Sequence, residues 1–127
     1  MKIATHQKIN QALCGRPIFT ENGRSRVELR VTPEMAADEK GLVHGGFIFG
    51  LADYAAMIAV NHPYVVLGGS DVKFLKPVTV GETIVAEASI ETDDGRKKSV
   101  AVTAMVNGAP VFKGLFICVV LDKHVLD

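Results

Sequence analysis

The sequence has no excess charge of either sign: 14 Lys and Arg balance 14 Asp and Glu. That balance leaves no electrostatic footprint for nucleic acid or for an anionic membrane. No apolar run approaches the ~20 residues that a membrane helix needs. Met1 to Asn10 is polar and mixed, without the apolar core of a secretion signal, so a soluble cytoplasmic protein is expected. Cysteine is scarce. Cys14 and Cys118 are the only two, and they lie in apolar neighbourhoods outside any Cys-x-x-Cys spacing. Inert thiols are expected there rather than a disulfide or a nucleophile. His-x-x-x-His is absent too, so no metal site is implied. No strand leads into Gly-x-Gly-x-x-Gly, no Gly-Lys-Ser or Gly-Lys-Thr occurs, and Gly68-Gly69 does not make a phosphate loop.

Repeats, linkers and low-complexity tracts are missing as well, and 127 residues fit one domain, taken as residues 1–127. The chain is 48% hydrophobic and 22% charged, an ordinary globular composition. The spacing of Ile9 and Leu13 predicts a short helix over Thr5 to Leu13, stopped by Gly15 and Pro17. Ile18-Phe19 and Arg26 to Val31 flank Glu21-Asn22-Gly23 as a hairpin, with Val27, Leu29 and Val31 on one face. Thr32-Pro33-Glu34 starts a brief helical turn. Phe47, Ile48, Leu51, Tyr54, Ala55, Ile58 and Ala59 then recur at three- and four-residue intervals. They predict a helix from about His44 to Asn61, apolar over most of its circumference and therefore enclosed.

Strands are expected at Tyr64 to Leu67, Asp71 to Leu75, Thr83 to Ile90, Ser99 to Val106 and Val111 to Leu121. Turns fall at Asp93-Asp94-Gly95 and Asn107-Gly108. One long helix followed by an antiparallel meander is an α+β pattern, a curved sheet wrapped around a central helix.

Chemistry concentrates in Gly41 to Asp53. Gly45 and Gly46 stand at the entrance of the helix. Glycine there either relieves crowding against a neighbouring strand or admits a ligand to the free N–H groups of the helix start, where an oxyanion is well held. Asp53 is the only acid of an apolar helix. Burial raises the pKa of such a carboxyl and suits it to general-base work, unless it is bonded to a backbone amide or sits at a subunit contact. His44 is a base, a ligand for a carbonyl, or the capping residue of the helix. His6, His62 and His124 are isolated in sequence.

His44-Gly45-Gly46 followed by Leu51-Ala52-Asp53 resembles the helix signature of PaaI-type hotdog thioesterases. Asp71 to Pro77 and Val80-Gly81-Glu82 resemble the strand and turn that follow it there. The resemblance covers about residues 5 to 121. It implies a hotdog fold and acyl-CoA hydrolysis, with aryl- or phenylacyl-CoA among the candidate substrates, and implies no cofactor. Asp53 becomes base or nucleophile, the Gly45 N–H polarises the thioester carbonyl with Gly46 next in line, and His44 positions the substrate. It also implies homo-oligomers, dimers or dimers of dimers, with each site shared between two subunits.

Related enzymes often carry Asn six residues before the motif His, where this chain has Asp38, which when ionised only accepts hydrogen bonds. Asp38 is either a substituted substrate-site residue or a solvated loop residue. Ser70 stands near the position of a hydroxyl that some relatives use. Lys73, Lys76, Arg96, Lys97, Lys98 and Lys113 are candidates for the CoA phosphates or simply a solvated face. Two other functions fit the same fold: a non-catalytic acyl-CoA binding or sensing module, and a hydratase or dehydratase. The Asp-x-x-x-x-His arrangement usual for the last is missing.

Overall fold

The computed structural model describes residues 1–127. Helix α1 (Gln11–Cys14) leads into strands β1 (Arg16–Glu21) and β2 (Arg24–Arg30). A 3-10 turn at Pro33–Met35 precedes the long helix α2 (Gly45–Val60). Strands β3 (Val65–Phe74), β4 (Thr83–Asp93), β5 (Lys97–Val106) and β6 (Ala109–Val120) complete the chain. The six strands form one antiparallel sheet in the order β1-β2-β4-β5-β6-β3. The helix lies across its concave face, as the α+β hotdog pattern requires.

Alternation along the strands supplies the wall. Val27, Ala86, Ala104 and Phe112 are register partners across β2, β4, β5 and β6, and all four are buried. Alanine in the middle of that row leaves room for α2, whose own Ala52, Ala55, Ala56 and Ala59 are buried. Leu51 and Ile58 fill the remaining space at 0% exposure, so truncating either to Ala costs about 2–5 kcal/mol.

Two buried hydroxyls fix the helix on the sheet. Thr20 Oγ1 donates to Ile58 O at 2.5 Å, and Ser25 Oγ donates to Ala55 O at 2.6 Å. Ile58 O is among the last four helix carbonyls, which lack a partner within the helix. The helix ends because Asn61 turns left-handed at φ 54° and returns its N–H to Met57 O. Its side chain then holds the N-terminus, accepting from Ala4 N and donating to Lys2 O, both at 2.8 Å.

Among the boundaries that differ from the sequence expectation, three have a clear local cause. The first helix starts at Gln11, because Asn10 caps it through Ala12 N and His6 is left-handed at φ 54°. Such a His has left the helical region. The strands expected at Tyr64–Leu67 and Asp71–Leu75 are one strand, β3, passing through a register shift between Leu67 and Gly69. The glycine pair absorbs that bulge. Pro17 lies within β1, which its position at the sheet edge allows.

Candidate functional site

Asp53 projects from the one face of α2 that the sheet does not cover. Gly46, Phe49, Gly50, Asp53 and Val60 share this face at helical spacing, and each keeps some exposure. The Asp53 carboxylate makes no hydrogen bond or ion pair, and its Oδ1 is sealed from solvent without a partner. The backbone-amide partner that a structural Asp requires is therefore absent. Burial pushes the carboxyl from 3.8 up to about 6, because desolvation disfavours the charged form.

Asp53 lines a cavity of about 390 Å³, which also meets Thr5, His6, Met57, the start of β3 at Val65 to Leu67, and the C-terminal tail. His6 reaches it because Asn61 anchors the preceding residues and Thr5 is buried beside it. Thr5 Oγ1 and His6 Nδ1 are hydrogen-bonded at 2.7 Å. Holding a His at positive φ costs on the order of 1–3 kcal/mol, so the surrounding structure imposes that conformation. His6 is isolated in sequence; its position depends on the fold bringing the N-terminal residues back to the end of α2.

Cys14 is half-buried and Cys118 fully buried, and both are free. Burial first, then the charge of Asp53, raises both thiols, Cys118 to about 12. At about 12 the Cys118 thiol is a poor nucleophile at neutral pH, and the shift of Cys14 acts in the same direction.

The second half of the motif lies at the other end of the helix. His44 occupies the N-cap position, but its side chain makes no capping bond and is exposed. Its ring lies against Gly46, where an added Cβ would stand 3.0 Å from Cδ2 and Nε2. A Cβ on Gly45 would stand 3.2 Å from Phe74 Cε1. The crowding explanation for both glycines is therefore present in the structure. It coexists with a second feature: neither glycine N–H donates among the turn and cap bonds. Gly45 also borders a cavity of about 240 Å³ with Phe74, Leu75 and Pro77.

Gly45 and Asp53 are not brought together within one chain. Eight residues separate them on α2, which places them about 12 Å apart along the axis. Asp38 is exposed and accepts from Lys40 N at 2.9 Å and Leu42 N at 3.2 Å, a turn-forming role away from the Asp53 cavity. Ser70 is exposed on β3 and does not border that cavity. Among the basic candidates, Arg96 pairs with Asp122 and Lys98 with Asp93, whereas Lys97 makes no ion pair. Lys73 and Lys113 face each other across β3 and β6 and border a cavity of about 360 Å³ with Asp71 and Glu91. No group of three His, Cys, Asp or Glu side chains has the arrangement of a metal site.

A sequence profile of the thioesterase superfamily matches residues 40–104, which include His44, Gly45, Gly46 and Asp53. An Aquifex aeolicus protein named methylthioribose-1-phosphate isomerase is 52% identical over 95% of this chain, which corresponds to 26% of that protein. The transcription factor FapR of Caldanaerobacter subterraneus is 30% identical over 88% of this chain and 56% of its own length. The chain thus spans about a quarter and about half of these two relatives. Among solved structures, uncharacterized protein PH1136 from Pyrococcus horikoshii has a TM-score of 0.99 at 53% identity, covering 100% of this chain and 98% of that one. A mutant of the phenylacetic acid degradation protein PaaI from Thermus thermophilus shares the fold, with a TM-score of 0.81 at 24% identity, covering 87% and 96%.

Proposed function

This chain belongs to the thioesterase superfamily, and from that premise we propose that it hydrolyses acyl-CoA thioesters in the cytoplasm to free acid and CoA. The observation that carries the reading is Asp53: an unpartnered carboxylate on an otherwise apolar helix, raised to about 6, on a residue that lines a cavity. Above that pH it is ionised and takes a proton from water as the water oxygen adds to the thioester carbonyl. Collapse of the adduct breaks the C–S bond and releases the CoA thiolate. Direct attack by the carboxylate is the alternative use of the same group.

The oxyanion is assigned to the Gly45 N–H, with Gly46 adjacent. A donor of this kind contributes about 3–4 kcal/mol to acyl transfer. The separation of Gly45 from Asp53 along α2 supports a site built from two chains, Asp53 from one and His44 with Gly45 from its partner. Two features suit a homodimer, and dimers of dimers after it. The outer edge of β3 is unpaired over ten residues, and an open edge invites another strand. The α2 face carrying Asp53 is also not covered by the sheet and stays partly exposed at Gly46, Phe49, Gly50 and Val60. Lys97 and Lys73 are assigned to the CoA phosphates, and substrate-site roles for Asp38 and Ser70 are weaker because both lie away from the Asp53 cavity.

A second reading is a binding module that senses acyl-CoA without cleaving it. The similarity to FapR, a transcription factor, favours it. The isomerase activity named for the Aquifex protein is not carried over, because this chain matches only 26% of that protein. Release of free thiol from short, long and aromatic acyl-CoAs separates the readings. Cleavage supports the enzyme; binding across the panel with no thiol released supports the sensor.

A further inference from the structure

We propose that His6 is a second catalytic residue of the Asp53 site, holding the attacking water through Nε2 while Asp53 accepts its proton. The inference rests on the hydrolytic reading above and deepens it.

Three observations carry it. His6 and Asp53 border the same cavity although 47 positions separate them in the chain. The imidazole is held rather than free: Thr5 Oγ1 occupies Nδ1 at 2.7 Å, and the ring packs 6.4 Å from that of Tyr54. That leaves Nε2 as the ring's remaining polar atom. Finally, the backbone at His6 is left-handed, an unfavourable state for this residue, and is maintained by the Asn61 anchor and the buried Thr5. Strain of this kind concentrates where a side chain must be aimed.

The other titratable groups on the cavity are less suited. His124 is an exposed tail residue whose Nδ1 accepts from Leu126 N, and Tyr64 is 38% exposed. Burial lowers His6 below its usual range, so its neutral form persists where Asp53 is ionised. In the tautomer whose Nδ1–H donates to Thr5 Oγ1, which the proposed role requires, Nε2 offers a lone pair. A water that gives one hydrogen to Asp53 and the other to Nε2 keeps its own lone pairs for the carbonyl carbon. As the C–O bond forms, the first proton moves to Asp53. When the C–S bond breaks, its electron pair leaves on sulfur, and the Asp53 proton passes to the thiolate or to solvent.

The test compares kcat, KM and melting temperature of wild type, Asp53→Asn, His6→Asn and His6→Gln on the best-cleaved acyl-CoA. Asn tolerates the left-handed backbone and keeps an amide for Thr5, but it has nothing at the Nε2 position. His6→Asn is expected to lose about 100-fold in kcat, with KM and melting temperature little changed. Gln, which restores a polar atom near Nε2, recovers part of the loss. If wild type is active, Asp53→Asn is inactive and His6→Asn stays within about threefold of wild type, the role of His6 is overturned and the hydrolytic reading stands. If wild type cleaves no thioester, or Asp53→Asn cleaves at full rate, the hydrolytic reading falls and the role of His6 with it.

Discussion

Gly45 and Asp53 ride on the same helix yet sit too far apart along it to act on one carbonyl. Their separation is about 12 Å, whereas reacting atoms must lie within ~3–3.5 Å of each other. In the proposed mechanism, a thioester that meets both draws them from different chains.

Complementation follows from this. Asp53→Asn and Gly45→Pro are each expected to be inactive alone, since Pro removes the N–H and is tolerated at a first helical position. Dissociated and mixed in equal amounts, they form hybrids in which one of the two sites is intact. Recovery of about a quarter of wild-type activity is expected from random pairing. No recovery after verified subunit exchange points to a site within one chain.

The pH dependence has a definite sign. The base must be ionised, and burial has moved Asp53 up to about 6. The expected kcat/KM falls as pH drops through about 6 and levels off above it. A profile flat down to pH 4.5 contradicts Asp53 as the base.

Stability runs the other way. The folded chain holds the Asp53 proton more tightly than the unfolded chain does, so its relative stability is greatest below about pH 4. It is lost as pH rises toward about 6. Asp53→Asn removes a charge that has no partner. It is expected to be more stable than wild type at pH 7.5 by roughly 1–3 kcal/mol, allowing for partial exposure. The two should be nearly equal at pH 4. Denaturant unfolding at both values checks the sign.

The Thr20 hydroxyl supports the carbonyl end of the same helix. Thr20→Val leaves the buried Ile58 O unsatisfied and is expected to cost about 1–3 kcal/mol. Thermal or denaturant unfolding measures it, and an unchanged midpoint rules out the bond as a support.

Much of this was legible in the sequence because it follows local periodicity. The helix was readable from Phe47 to Ala59, and its observed span, Gly45–Val60, falls within the expected bounds of about His44 to Asn61. Asn22-Gly23 and Asn107-Gly108 take the paired positive φ values that their hairpins require. Asp53 stood out because an acid in an apolar helix is anomalous in any fold. What stayed hidden depends on distant segments. Nothing in the spacing of Thr20, Ser25, Ile58 and Ala55 reveals two hydroxyls reaching across to helix carbonyls. Likewise His6 joins Asp53 only because Asn61, a helix cap, also holds Lys2 and Ala4. The bulge that joins Tyr64–Leu67 to Asp71–Leu75 stayed hidden too, because composition alone does not distinguish a bulge from a loop.

The most direct measurement is thiol release from acyl-CoAs by wild type and Asp53→Asn, side by side at pH 7.5 under saturating substrate. The account expects turnover by wild type and a loss of at least about 100-fold in the variant, with the variant folded and at least as stable. A folded Asp53→Asn protein that cleaves thioesters at the wild-type rate contradicts it.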